Sequence, residues 1–231
     1  MGSAFQPDVY TVRAGDTLYA IAWRYNRDVN QLAAWNDLDS PDTLYPGQRI
    51  RLSPPDGHDS GEVRGRVLGS DDSSTPAAVP QGAAPSASGG DESATAASGA
   101  PEGRGAPGSW AWPVDGEVIG TFTDGVVYGR GLDIAGGEGD PVRATADGQV
   151  VYSGEGLRAY GPLIIIRHSR EYLSAYAHNR RLLVSEGDAV ERGDAIAEMG
   201  RAAGEDQPLL HFEIRRDGEP VDPLDYLPRR E

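Results

Sequence analysis

The sequence predicts a multidomain α+β chain: a small β-α-α-β region, a disordered linker, and a larger, mainly antiparallel β region. Three observations carry that reading. Within the first fifty residues, apolar positions recur at strand, then helical, then strand spacing. From Pro54 to Ser109 there is no aromatic residue, isoleucine or methionine. Beyond Trp110, short apolar runs alternate with glycine and Asp-Gly turns, and no long amphipathic helix interrupts them.

The first region spans residues 8–53. Tyr10 and Val12 read as a strand that turns at Ala14-Gly15-Asp16. Leu18, Ile21, Ala22 and Tyr25 then fall on one helical face, with Asp16 or Thr17 able to cap the helix. A second short helix follows, with Asp28 as its cap and Val29, Leu32 and Trp35 on one side. Pro46-Gly47 turns the chain into a closing strand with Ile50 and Leu52 inward.

Residues 54–109 are rich in alanine, serine, glycine and proline, and cannot bury enough apolar surface to offset the entropy of ordering. Read as a flexible chain, they span roughly 40 Å root-mean-square, so the flanking regions are expected to act as tethered, independent modules. The second module covers residues 110–231. Its strand signals include "PVRATADGQVVYSG", "PLIIIRHS", "YLSAYAHN" and "LLHFEIRRDG", with Val150, Val151 and Leu163 to Ile166 as core. The expected arrangement is an antiparallel β sandwich.

Composition narrows the function. The net charge is −15 and all basic residues are arginine, which disfavours nucleic acid and anionic membranes as partners. Without cysteine there are neither disulfides nor thiolate metal sites. No stretch approaches the ~20 apolar residues of a membrane span. Met1-Gly2-Ser3-Ala4 has the look of an expression scar, so a native export signal is expected to have been cut away.

"YTVRAGDTLYAIAWRY", "LAAWNDL" and "LYPGQRIRL" resemble the LysM domain over nearly its whole length. The resemblance implies binding of N-acetylglucosamine polymers such as peptidoglycan. It places the sugar groove between Gly15, Asp16, Thr17 and Leu18 on one side and Asn36, Leu38, Leu44 and Tyr45 on the other. Backbone donors in a glycine turn and apolar walls suit an N-acetyl group.

"GLDIAGGEGDPVRATADGQVVYSG", "YLSAYAHN" and "LLHFEIRRDGEPVDPLDYLP" resemble the LytM-type zinc metallopeptidases, a fold of the duplicated hybrid motif type. The similarity is nearest to their degenerate, NlpD-like branch, which activates N-acetylmuramoyl-L-alanine amidases. Active members hold zinc through a His-x-x-x-Asp pair and the second His of His-x-His, leaving one position for an activated water. Here Asp133 and His211 survive, as does His178, which matches a further active-site histidine. Gly129 stands where the first ligand belongs, and glycine has no donor atom. Leu209 stands at the catalytic histidine's place and cannot move a proton. His168 follows a core strand and His58 lies in the linker, so neither compensates.

The expectation is therefore a protein with no catalytic residues, no metal and no cofactor. A groove lined by Arg158, Tyr160, Tyr176, Leu209 and His211 would bind a segment of a periplasmic zinc amidase. The resemblance implies a periplasmic, outer-membrane-anchored lipoprotein acting in septal peptidoglycan splitting and cell separation. Its groove would favour an amidase state in which an inhibitory element has left the amidase's own zinc. A zinc endopeptidase and a passive peptidoglycan-binding scaffold are the rival readings.

Overall fold

The computed structural model describes residues 7–38, 44–55, 108–123, 130–157 and 159–230. The expected linker falls outside them except at its ends, and so do Gly129, Arg158 and His58.

The first region has the anticipated β-α-α-β order. Strands β1 (Val9–Thr11) and β2 (Arg49–Arg51) pair antiparallel, with Tyr10 opposite Ile50. Helices α1 (Leu18–Tyr25) and α2 (Val29–Trp35) lie between them in sequence. Thr17 supplies the α1 cap by accepting from the Ala20 amide, and Asp28 does the same for α2 at Gln31. Asp16, the alternative cap, instead accepts from the Tyr10 hydroxyl at 2.6 Å and the Arg13 amide at 2.8 Å, which holds the turn.

The larger region continues with β3 (Val118–Gly120), β4 (Leu132–Ala135), β5 (Pro141–Arg143), β6 (Gly148–Gly154) and β7 (Leu163–Arg167). There follow β8 (Tyr172–Ala177), β9 (Asn179–Leu182), β10 (Ala189–Val190), β11 (Ala195–Met199), β12 (Leu209–Arg216) and β13 (Glu219–Val221). The large sheet runs β10-β6-β7-β8-β12-β4-β3, with β13 also paired to β12; a three-stranded sheet runs β5-β11-β9. All of these pairings are antiparallel.

Alternation sorts each strand of the large sheet onto two faces. Ile164 and Ile166, Tyr176, and Leu210, Phe212 and Ile214 join Val142, Ile196 and Met199 in one apolar core with the small sheet. Leu163 and Ile165, Ala175 and Ala177, with Val151 and Tyr152, belong to a second core.

That second core departs from the expectation of independent modules. It also contains Leu18 to Trp23, Val29, Leu32 and Ile50, so one apolar cluster spans the small β-α-α-β region and the large sheet. The two regions form one compact unit. The physical reason lies in α1, whose residues Leu18 to Trp23 are all buried. A helix that is apolar all round needs cover on both sides. Its own small sheet and α2 cannot supply that, so the remaining face packs on the large sheet.

Candidate functional site

Strand β12 organises the site. Its residues Leu209, His211, Glu213 and Arg215 share the face turned toward α1, and His211 pairs across with Asp133 of β4 and Ala177 of β8. Four side chains on this face form a ladder of alternating charge. His211 Nδ1 lies 2.7 Å from Asp133 Oδ1, and its Nε2 lies 3.2 Å from Glu213 Oε1. The other Glu213 oxygen accepts from Arg215 Nε at 3.2 Å and Nη2 at 3.1 Å. Glu213 and Arg215 are each 1% exposed, so the pair is shielded from solvent screening.

The ladder sets the protonation states. Burial opposes charging His211, but its hydrogen bonds to Asp133 and Glu213 and their charges prevail and push it up to about 9. Burial likewise disfavours the Glu213 carboxylate, yet Arg215 and His211 hold it below its usual range. The shift favours the protonated ring, and both of its nitrogens face carboxylate oxygens. His178 is the opposite case: burial, then the charge of His211, bring it down to about 4. The two rings are 6.1 Å apart, and His178 sits at φ 63°, where the chain leaves β8. Tyr160 donates its hydroxyl to Glu213 Oε1 at 2.9 Å, and burial and that carboxylate raise it to about 12.

A cavity of about 470 Å³ opens beside the ladder. Its walls include Tyr160, His178, Leu209 and His211 from the large region, and Trp23 and Arg24 from α1. Among the described residues, no group of three or more histidine, cysteine, aspartate or glutamate side chains is placed to hold a metal ion.

The structure brings together Asp133, His178, Leu209, His211 and Tyr160 from the predicted set. Tyr176 requires a correction. It points to the opposite face of the sheet, is fully buried, and bonds through its hydroxyl to Thr145 and Ser174, so it belongs to the core and cannot meet a partner. Gly129 and Arg158 lie outside the described residues. Sequence reasoning missed Glu213, Arg215 and Trp23. A period-two reading of "LHFEIR" places Glu213 and Arg215 on the His211 face, so that signal was available.

In the small region, Gly15 sits at φ 81° in an exposed turn, and Tyr45 is 68% exposed. Leu38 and Leu44 are half-buried against the second core. Leu18 is fully buried, so its side chain is core rather than an open wall. Asn36 ties α2 to β2: its amide donates to the Leu32 carbonyl at 2.8 Å and the Arg51 carbonyl at 2.9 Å, and its oxygen accepts from the Arg51 amide at 2.7 Å.

Comparison with known proteins agrees with this architecture. Residues 10–53 match the LysM domain and residues 127–223 match Peptidase family M23. A lipoprotein NlpD/LppB homolog of Pseudomonas aeruginosa is 45% identical over 96% of this chain and 77% of its own length. The murein hydrolase activator NlpD of Escherichia coli is 38% identical over 98% of this chain and 69% of its own. Among solved structures, a zinc-containing peptidase from Vibrio cholerae aligns at 31% identity with a TM-score of 0.45, covering 49% of this chain and 39% of that one.

Proposed function

We infer that the function follows from family membership: the chain belongs to the NlpD/LppB family, whose relatives are named lipoprotein and murein hydrolase activator. On that premise we propose that it is a non-catalytic activator of a periplasmic zinc N-acetylmuramoyl-L-alanine amidase, serving septal peptidoglycan splitting. In this reading residues 8–53 engage N-acetylglucosamine-containing glycan around Gly15, Asp16, Thr17, Asn36 and Tyr45. Residues 110–231 supply the groove that the amidase enters, with Tyr160, Leu209 and His211 on its floor. The native precursor carries a lipid anchor to the outer membrane.

The observation that carries the non-catalytic reading is which residues stand around Asp133 and His211. Both ring nitrogens of His211 already face carboxylate oxygens, at 2.7 and 3.2 Å. Position 129 is glycine and position 209 is leucine, so neither a third ligand nor a proton-transferring histidine is supplied there. The LytM-type zinc therefore does not fit these residues. What remains is a concave, partly apolar cavity with aromatic walls, the kind of surface that accepts an anchoring side chain of a partner.

The test is dye release from labelled sacculi. The full chain alone should release nothing, with or without added zinc, and should stimulate a purified zinc amidase. Zinc-dependent release by this chain alone would overturn the reading in favour of an endopeptidase. An unchanged amidase rate would leave only wall binding.

A further inference from the structure

The groove face of the large sheet is already occupied. Helix α1 lies against it, and Trp23 and Arg24 wall one side of the cavity whose floor holds Tyr160, Leu209 and His211. We propose that this face is one binding surface with two mutually exclusive occupants, the chain's own α1 and the amidase segment, and that the docked form is the resting state. The inference rests on the activator reading above and adds its regulation.

Four observations support it. The Arg215 guanidinium stacks 3.7 Å over the Trp23 ring and donates to the Trp23 carbonyl at 3.3 Å, so the end of the charge ladder is sealed by α1. That stack is a desolvated cation–π contact, the stronger kind. Tyr19 extends the seat through its hydroxyl, which accepts from Arg167 at 2.8 Å.

Hydrogen bonds also fasten the rim on several sides. Arg24 donates to the Gly156 carbonyl at 2.9 Å, Asn30 to the Arg170 carbonyl at 3.2 Å, and Arg130 to Asn26 at 3.1 Å. Finally, the β12–β13 turn comes so close to the small region that a Cβ on Gly218 would lie 2.5 Å from the Asp28 amide nitrogen. The backbones meet there at a distance that only glycine permits.

A tethered occupant competes at an effective concentration far above that of a free partner. The amidase therefore sees an affinity reduced by the fraction of chains in which α1 has left. Trp23, Arg24 and Leu209 line the same cavity, so a partner that fills it at Leu209 contends with α1.

Two changes to the full chain act in opposite directions. Gly218→Asn keeps a residue that tolerates the turn's φ of 81° but drives a side chain into Asp28. Asn30→Cys with Arg170→Cys, in a chain that has no cysteine of its own, permits an oxidised lock across the contact. Small-angle scattering reads docking without any amidase, and dye release from labelled sacculi by a purified zinc amidase reads stimulation. The expected result is that Gly218→Asn enlarges the radius of gyration and raises stimulation about tenfold. The oxidised lock should stay compact and inert until reductant restores stimulation.

An opened Gly218→Asn chain that stimulates no better than the unmodified one overturns the competition, as does an oxidised lock that stimulates fully; both outcomes leave the activator reading intact. A Gly218→Asn chain as compact as the parent overturns the assigned contact. Failure of every form, opened or reduced, to stimulate removes the activator reading, and this regulation with it.

Discussion

Strand β12 has two faces that solve opposite problems. Leu210, Phe212 and Ile214 enter a dry core against the small sheet, and all three are fully buried. His211, Glu213 and Arg215 point the other way and are also buried, at 8%, 1% and 1% exposure. Equal burial thus arises from different physics. The first face is held by apolar area and close packing. The second is a row of charges tolerable only because each has a partner on either side and α1 closes the end.

The largest effect should come from the apolar face. Phe212→Ala removes a fully buried ring packed 5.4 Å from that of Tyr176. A loss of about 4 kcal/mol is expected in urea unfolding. A cost below roughly 1 kcal/mol would mean that this face repacks freely, and the comparison would fail at its firmer end.

Next is the charged face. Glu213→Gln keeps the shape but leaves Arg215 and His211 without their shared counter-charge, and should cost about 2–3 kcal/mol. The same substitution in a Trp23→Ala background should cost at least 1 kcal/mol less, on the order expected for coupled neighbours, because water then reaches Arg215. Additive costs would show that α1 does not seal the ladder.

Much of this was legible in advance, and what was missed has a common cause. Both β-α-α-β order and the antiparallel sheet follow from periodicity, because each element's buried face is written in residues two, three or four apart. Asp133, His211 and Leu209 were placed by the resemblance to the LytM-type metallopeptidases. Tyr176 was misassigned because alternation says that Tyr176 and His178 share a parity, but the chain breaks at His178, whose φ of 63° turns its ring to the other side. The docking of α1 was half visible. Leu18, Ile21, Ala22 and Tyr25 made one face, while Tyr19 and Trp23 made a second that no partner inside fifty residues could cover. A second apolar face on an eight-residue helix signals a partner, although its identity needs three dimensions.

A smaller effect tests a buried polar cluster inside the apolar face. His168 is 4% exposed; its Nδ1 donates to the Asp147 carbonyl at 2.8 Å, and its Nε2 lies 2.7 Å from the Ser174 hydroxyl. Burial lowers it to about 4, well under the ordinary value of 6.5, so the folded protein keeps it neutral. Between those values the unfolded chain binds a proton that the folded one refuses. Stability from this site is therefore intact above pH 6.5 and falls as pH drops toward 4, by at most about 1.4 kcal/mol per unit. His178 adds a slope of the same sign. His168→Gln should lose stability at pH 7.5, yet its deficit relative to the parent should shrink by roughly 2 kcal/mol at pH 5. Parallel stability curves would show that His168 charges in place.

The smallest stability effect belongs to an exposed edge of the small region, where binding and folding should separate. Tyr45 is 68% exposed, and its backbone amide donates to Gln48 at 3.0 Å, a bond that survives truncation of the ring. Tyr45→Ala should therefore change stability by less than about 0.5 kcal/mol. If the exposed ring stacks on glycan, its loss should weaken retention on purified sacculi roughly tenfold, the scale of one good aromatic contact. Asn36→Ala is the control from the same proposed groove. Its amide makes two bonds to Arg51 of β2 and one back to Leu32 of α2, so its removal should cost stability by about 1–2 kcal/mol, and retention should fall only as the fold does. Sedimentation of each variant with sacculi, beside its melting temperature, reads both quantities. Full retention by Tyr45→Ala would move the glycan site off this exposed edge. The docked flank around Thr17, whose hydroxyl lies 3.5 Å from the Val151 carbonyl, would then be the place to look, and glycan binding and docking of α1 would contend for one loop.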